Sequence, residues 1–178
     1  MDTVKYSLYN KIEIEVAQLK TPDIILKEYI NEIYNLGDKM GRSTNVKATM
    51  MTSYKIFKET NKFNPILNQI LLMCNYMHSI DTRHEMVLSD AWGAVYKDGD
   101  FTITHDHTPK TFSFVYYLND TNKSTPIVFT DIDWQHTPKK NELIFFPSYL
   151  KHKVPKHIGN DRVILAGNFD FIYEGVKN

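Results

Sequence analysis

The chain has 178 residues, 42% of them hydrophobic and 13% aromatic, so it can bury a real core and is not disordered throughout. Its 21 lysines and arginines balance 21 acidic residues, which removes the electrostatic reason to expect nucleic acid or an anionic membrane as a partner. A single cysteine, Cys74, excludes an internal disulfide framework and a Cys-rich zinc site, and fits a reducing compartment.

The first residues, Met1 to Ser7, carry no long apolar run of the signal-peptide kind. The most apolar stretch, Ile66 to Met73, is interrupted by Asn68 and Gln69 and is too short to span a bilayer. The expectation is a soluble, cytoplasmic protein. In chain order, Ile12, Ile14 and Val16 alternate with polar or small residues and read as a strand. Thr21-Pro22-Asp23 reads as an N-cap followed by a first-turn proline. Apolar residues from Ile24 to Tyr34 then recur at spacings of three and four, and Gly37 supplies the stop. A second helix is predicted from Asn64 to about His78, with Ile66, Leu67, Ile70, Leu71, Cys74 and Met77 on one face. From Thr21 to Ser79 the dominant period is helical.

From Val87 the texture becomes β. Short aromatic and β-branched runs cover Ala91 to Tyr96, Thr111 to Leu118, Ile127 to Thr130, Glu142 to Pro147 and Arg162 to Phe171. Turn residues separate them at 97–100, 119–122 and 159–161. Short strands at regular intervals predict a sandwich, jelly roll or small barrel. No repeat or flexible linker divides the chain, so one domain over 1–178 is expected, with a helical support region over about 1–86 and a β core over about 87–178.

The residues able to carry chemistry are mostly histidines. His105 and His107 stand two apart, so an extended backbone puts both on one face while Asp106 points away. Imidazole suits iron, zinc, nickel or copper. His152 follows the Glu142–Pro147 run and can add a third ligand from a distant strand. Arg162 opens the last strand; turned inward, its planar fork can hold a carboxylate bidentately, and a buried guanidinium demands such an anion. His136 and His157 fall in polar or Pro-flanked loops and read as solvated. His78 and His84 flank the end of the second helix, where imidazolium meets the C-terminal dipole favourably. Asp131 and Asp133 read as turn residues. Lys151, Lys153 and Lys156 form a solvated rim, and Ser113 lacks the histidine–acid partners of a serine hydrolase. No phosphate-binding glycine loop occurs.

Taken together, Trp92-Gly93-Ala94-Val95 with Gly99-Asp100, His105-Asp106-His107-Thr108-Pro109, the run Ser113 to Leu118, Ile127-Val128-Phe129, Leu143 to Pro147 leading to His152, Arg162-Val163-Ile164 and Asn168-Phe169 form an ordered set. From Asp90 to Phe171 the chain resembles the iron(II)/2-oxoglutarate-dependent oxygenases. More narrowly, it is similar to the oxygenases of bacteria and their phages that are distantly related to prolyl hydroxylases. The resemblance implies a mainly β protein with helical support (α+β): a double-stranded β-helix, jelly-roll and cupin-like, with N-terminal helices packed on the sheet. It implies Fe(II) on His105 and His152 and the distal carboxylate of 2-oxoglutarate on Arg162. Tyr117 falls where relatives place a tyrosine that hydrogen-bonds the same carboxylate, and a core aromatic is the rival reading. Asn168 shares a strand face with Arg162 and is a candidate cavity-lining, cofactor-binding residue, with an ordinary inward polar residue as the rival reading. Trp92 reads as core.

The family pattern departs here at one position, where His107 stands in place of a carboxylate. Strand geometry favours His107 as third ligand, and Asp106 can serve only if the backbone bulges. The implied activity is a dioxygenase that hydroxylates an unidentified small molecule or protein side chain while 2-oxoglutarate and O2 become succinate and CO2. Two alternatives stay open: a three-histidine, cupin-like metalloprotein without 2-oxoglutarate, and a catalytically degenerate binding or structural module.

Overall fold

The computed structural model describes residues 13–38, 44–77, 84–121, 123 and 125–173. Along the chain run β1 (Glu15–Gln18), α1 (Asp23–Leu36), β2 (Val46–Lys47), β3 (Met50–Met51), α2 (Ile56–Glu59), α3 (Asn64–Met77) and β4 (His84–Tyr96). There follow β5 (Phe101–His105), β6 (Phe112–Tyr117), β7 (Ile127–Phe129), β8 (Trp134–His136), β9 (Glu142–Pro147), β10 (His152–Val154) and β11 (Arg162–Tyr173). The strands form two antiparallel sheets, one in the order β1-β9-β6-β11-β4-β3 and one in the order β2-β5-β10-β7-β8.

Period-2 geometry explains why the strands of the larger sheet read as unbroken apolar runs. In β11, Val163 and Leu165 join one core cluster while Ile164 and Ala166 join the other. In β9, Leu143 and Phe145 divide from Ile144 and Phe146 in the same way. One cluster lies under the helices, where Leu26, Ile33, Ile66 and Ile70 meet Phe114 and Leu165. The other lies between the sheets, with Trp92, Phe129, Phe146 and Ile164. Gly93 allows α1 its close approach: a Cβ there would stand 2.4 Å from the Ile33 side chain.

The helical support is more broken than its period predicts. Two short strands, β2 and β3, one in each sheet, and the single turn α2 lie between the long helices. Pro22, not Thr21, is the N-cap of α1. The Thr21 hydroxyl instead accepts a hydrogen bond from the Tyr116 hydroxyl, 2.8 Å away. Gly37 does end the helix, with its N–H bonded to the Ile33 carbonyl. α3 begins at Asn64 as expected and buries Ile66, Leu67, Ile70 and Cys74. Ile12 and His78 lie outside the described residues. The turn at 97–100 carries Gly99 at φ +87°, a conformation that favours glycine.

Candidate active site

Three histidines converge where the smaller sheet faces β4 and β11. His105 closes β5, His152 opens β10, and the two are direct antiparallel partners. His107 sits just beyond the end of β5, its N–H bonded to the Ser148 carbonyl at 2.8 Å and its own carbonyl accepting from the Lys110 N–H at 2.9 Å. One ligand nitrogen from each ring lies within 4.8 Å of the others. Asp106 faces elsewhere: its Oδ1 accepts from the Thr108 N–H at 3.0 Å, an Asx turn that shapes the bend between the histidines.

Two of the rings are held in one tautomer. Nδ1 of His105 pairs with the Ile103 carbonyl at 2.8 Å, and Nδ1 of His152 with the Leu150 carbonyl at 3.0 Å. A carbonyl can only accept, so Nδ1 carries the proton and Nε2 presents its lone pair. This is the outer-shell arrangement by which proteins orient metal-binding imidazoles. Burial beside Phe129 and Phe146 and the neighbouring imidazoles hold His152 down to about 3. Burial and His105 lower His107 to about 4, and burial lowers His105 as well. Near neutral pH the cluster is three neutral imidazoles, the state a metal ligand requires.

A narrow cavity of about 40 Å³ runs inward from the triad, lined among others by Tyr96, Thr102, Tyr117 and Arg162. Arg162 is only 3% exposed. One of its amino groups donates to the Thr125 carbonyl at 2.8 Å, and its guanidinium carbon lies 4.8 Å from the centre of the Tyr117 ring. Among the described residues no carboxylate pairs with it. An isolated cation at that depth is costly, and an anion in the cavity removes the cost. Burial raises the hydroxyl pKa of both Tyr96 and Tyr117, so both stay protonated and able to donate.

Outside the triad the cavity widens into an open vestibule of about 570 Å³, bounded by Tyr54, Asp90, Trp92, Asp106 and Asn168. The inward face of β11 carries Arg162, Ile164 and Ala166 into the inner cavity and brings Asn168 to the vestibule, so Arg162 and Asn168 lie on opposite sides of the histidines. Trp92 is core, as expected, yet its ring centre is 5.9 Å from that of His107 and 5.2 Å from that of Tyr54.

Tyr96 and Thr102 are the residues that motif reasoning overlooks. Tyr96 pairs in register with Arg162, and its hydroxyl lies 3.0 Å from the Thr102 hydroxyl. The available signal is the alternation Trp92, Ala94, Tyr96 along one strand face.

His157 is a correction: it is fully buried rather than solvated. The reason is local. Its backbone pairs with Gly99 and Asp100 across the turn, and its ring meets the Asn160 carbonyl at 2.7 Å and the Thr125 hydroxyl at 3.4 Å. His136 is half-buried on β8 and paired with Glu142 at 2.8 Å. Asp131 accepts from the Lys151 N–H, and Asp133 takes φ 47°, so both are turn residues.

No protein-family model matches the sequence, and no curated protein matches it significantly. Solved structures do. The viral collagen prolyl hydroxylase of Paramecium bursaria Chlorella virus-1, in its 2-oxoglutarate complex, superposes with TM-score 0.68 at 17% identity, over 88% of this chain and 94% of that one. HygX of Streptomyces hygroscopicus, with nickel and 2-oxoglutarate bound, gives 0.65 at 9% identity over 88% and 82%. A prolyl-4-hydroxylase of Pseudomonas putida gives 0.58 at 16% identity over 88% and 91%. The chain therefore has the double-stranded β-helix fold of the 2-oxoglutarate/Fe(II) oxygenases, with the N-terminal helices packed on its larger sheet.

Proposed function

We propose that the protein is an Fe(II)/2-oxoglutarate-dependent dioxygenase that hydroxylates a substrate while 2-oxoglutarate and O2 become succinate and CO2. One observation carries the reading: three neutral, converging imidazoles share a cavity with a buried arginine that has no carboxylate partner among the described residues. A metal site alone has no use for that arginine. A dicarboxylate cosubstrate needs both.

In this reading His105, His107 and His152 hold Fe(II). The metal supplies the oxidising chemistry, through O2 activation at the expense of 2-oxoglutarate. Arg162 binds the distal carboxylate, with the Tyr117 hydroxyl as a second donor and the Tyr96–Thr102 hydroxyl pair beside it. The phenyl rings of Phe129 and Phe146 back His152 and keep water from that side of the cavity. Asn168 belongs on the substrate side, where the vestibule accepts a molecule larger than the cosubstrate, a protein side chain on its backbone included. Pairing of β1 with β9 and packing of the helices on β4 support one domain over the whole chain.

The test is anaerobic. Fe(II) is added, then 2-oxoglutarate is titrated while the visible charge-transfer band of the chelate is followed. A saturable band, absent in His105→Ala and shifted to higher 2-oxoglutarate concentrations in Arg162→Ala, is expected. Bound iron without a band would reject the cosubstrate.

A further inference from the structure

Of the three histidines, His107 is the one no strand holds. β5 ends at His105, and the described residues offer the His107 ring no hydrogen bond like those that orient His105 and His152. What fixes it is its backbone N–H on the Ser148 carbonyl. Ser148 is itself fully buried in the turn between β9 and β10, and its hydroxyl lies 2.7 Å from that of Ser113, 1% exposed on β6. The Ser113 hydroxyl lies 2.8 Å from Oδ1 of Asn168 on β11.

The direction of every proton in this chain can be assigned. Oδ1 of an amide only accepts, so Ser113 must donate to Asn168. Ser113 has one proton, so Ser148 must donate to Ser113. The Asn168 NH2 is then left on the side of Asp90, its register partner on β4, whose carboxylate it helps to keep ionised. Asp90 is anchored in turn by Lys55 at 2.9 Å and Lys110 at 3.5 Å, and Lys110 closes the same turn that carries His107. Three buried polar side chains thus satisfy one another in a single order, among the apolar side chains of β6 and β9. A buried network of this kind is rigid when complete and costly when one member is missing.

We infer that Ser113, Ser148 and Asn168 form a proton-ordered relay, anchored on Asp90, that positions His107 as the third metal ligand. The inference rests on the three-histidine reading of the site. These are positioning residues: none reaches the triad with its own side chain, and each acts through the turn that holds the His107 backbone.

The experiment is a double-mutant cycle read by Co(II) binding in the full chain, with no turnover involved. Ser113→Ala is expected to weaken Co(II) affinity about tenfold, at the lower end of the range for outer-shell changes. It should also change the ligand-field absorption of the bound Co(II). In a His107→Ala background the same substitution should change affinity less than about twofold, because the ligand it positions is gone. Ser113→Thr, which keeps the hydroxyl, should restore affinity and spectrum. Ser148→Ala retains the carbonyl that holds His107 and serves as an independent deletion if Ser113→Ala does not fold. Equal losses in both backgrounds would show a merely structural role and overturn the relay. Unchanged affinity in Ser113→Ala or Ser148→Ala would overturn it too, with the three-histidine site intact. Failure of the unmodified protein to bind Co(II) would instead overturn the site reading, and the relay with it.

Discussion

Replacing Arg162 with methionine separates binding from folding, because the arginine has no carboxylate partner within the described chain. The side chain is 3% exposed and donates a hydrogen bond to a neutral carbonyl, that of Thr125. Removing it leaves that carbonyl unpaired, a cost of about 1–3 kcal/mol. It also removes a desolvated cation, whose penalty is several kcal/mol when nothing neutralises it. Methionine keeps much of the volume, so the two terms roughly cancel. The ligand-free midpoint should stay within about 4 °C of the unmodified protein, since 1 kcal/mol is worth about 2–4 °C at this size. Cosubstrate binding behaves differently. Breaking a buried, hydrogen-bonded charge pair costs about 3–5 kcal/mol. That is at least a hundredfold in 2-oxoglutarate affinity, with Fe(II) affinity unchanged within about threefold. Thermal unfolding and anaerobic titration of both ligands read these out together. Equal loss of iron and 2-oxoglutarate, or a large drop in the midpoint with 2-oxoglutarate binding intact, would refute the assignment.

The triad makes stability depend on acid. His152 and His107 are held at about 3 and about 4, below the 6.5 of a free imidazole, so between those values the unfolded chain binds more protons than the folded one. Metal-free stability should therefore hold above about pH 7 and fall below it by roughly 1.4 kcal/mol per pH unit for each such histidine. Urea midpoints from pH 8 to 5 test this, and His152→Gln should flatten the slope; equal slopes in the two proteins would refute it. His107→Asp returns a carboxylate to the third ligand position and should tighten Fe(II) binding by about tenfold or more in chelator competition, since it supplies a negative charge that imidazole lacks. Gly93→Ala places a methyl 2.4 Å from Ile33 and should cost about 1–3 kcal/mol in denaturant unfolding, with metal affinity unchanged.

What the sequence discloses follows from how local each signal is. H-x-H on an extended segment needs only period-2 geometry, so His105 and His107 were legible once the segment was taken as a strand end. His152 and Arg162 became legible through the order of the whole motif set. Tyr96 was not, because its place beside Arg162 comes from the register of β4 against β11, which pairs residues distant in the chain. The short strands β2 and β3 escape sequence reading because two-residue strands carry no period. The first half of β4 was missed because Ser89 and Asp90 interrupt its apolar run; there the strand borders the vestibule and uses polar residues to do so. His157 reads as solvated from the sequence because lysine and proline precede it. Its burial depends on backbone pairing with a turn far earlier in the chain.

A neutral His107 as third ligand, in the proposed function, sets the charge balance of the whole cavity. With a carboxylate ligand, Fe(II), Arg162 and a 2-oxoglutarate dianion would sum to zero. With three neutral imidazoles the same assembly keeps one positive charge, in a cavity walled by apolar and uncharged side chains. Unbalanced positive charge in low dielectric disfavours metal bound alone and favours metal bound together with an anion. Iron and cosubstrate should accordingly bind with stronger mutual cooperativity here than in the His107→Asp variant. The coupling is reciprocal, so it can be read from either titration. Conversely, a carboxylate at 107 would hold the metal tightly whether or not 2-oxoglutarate is present.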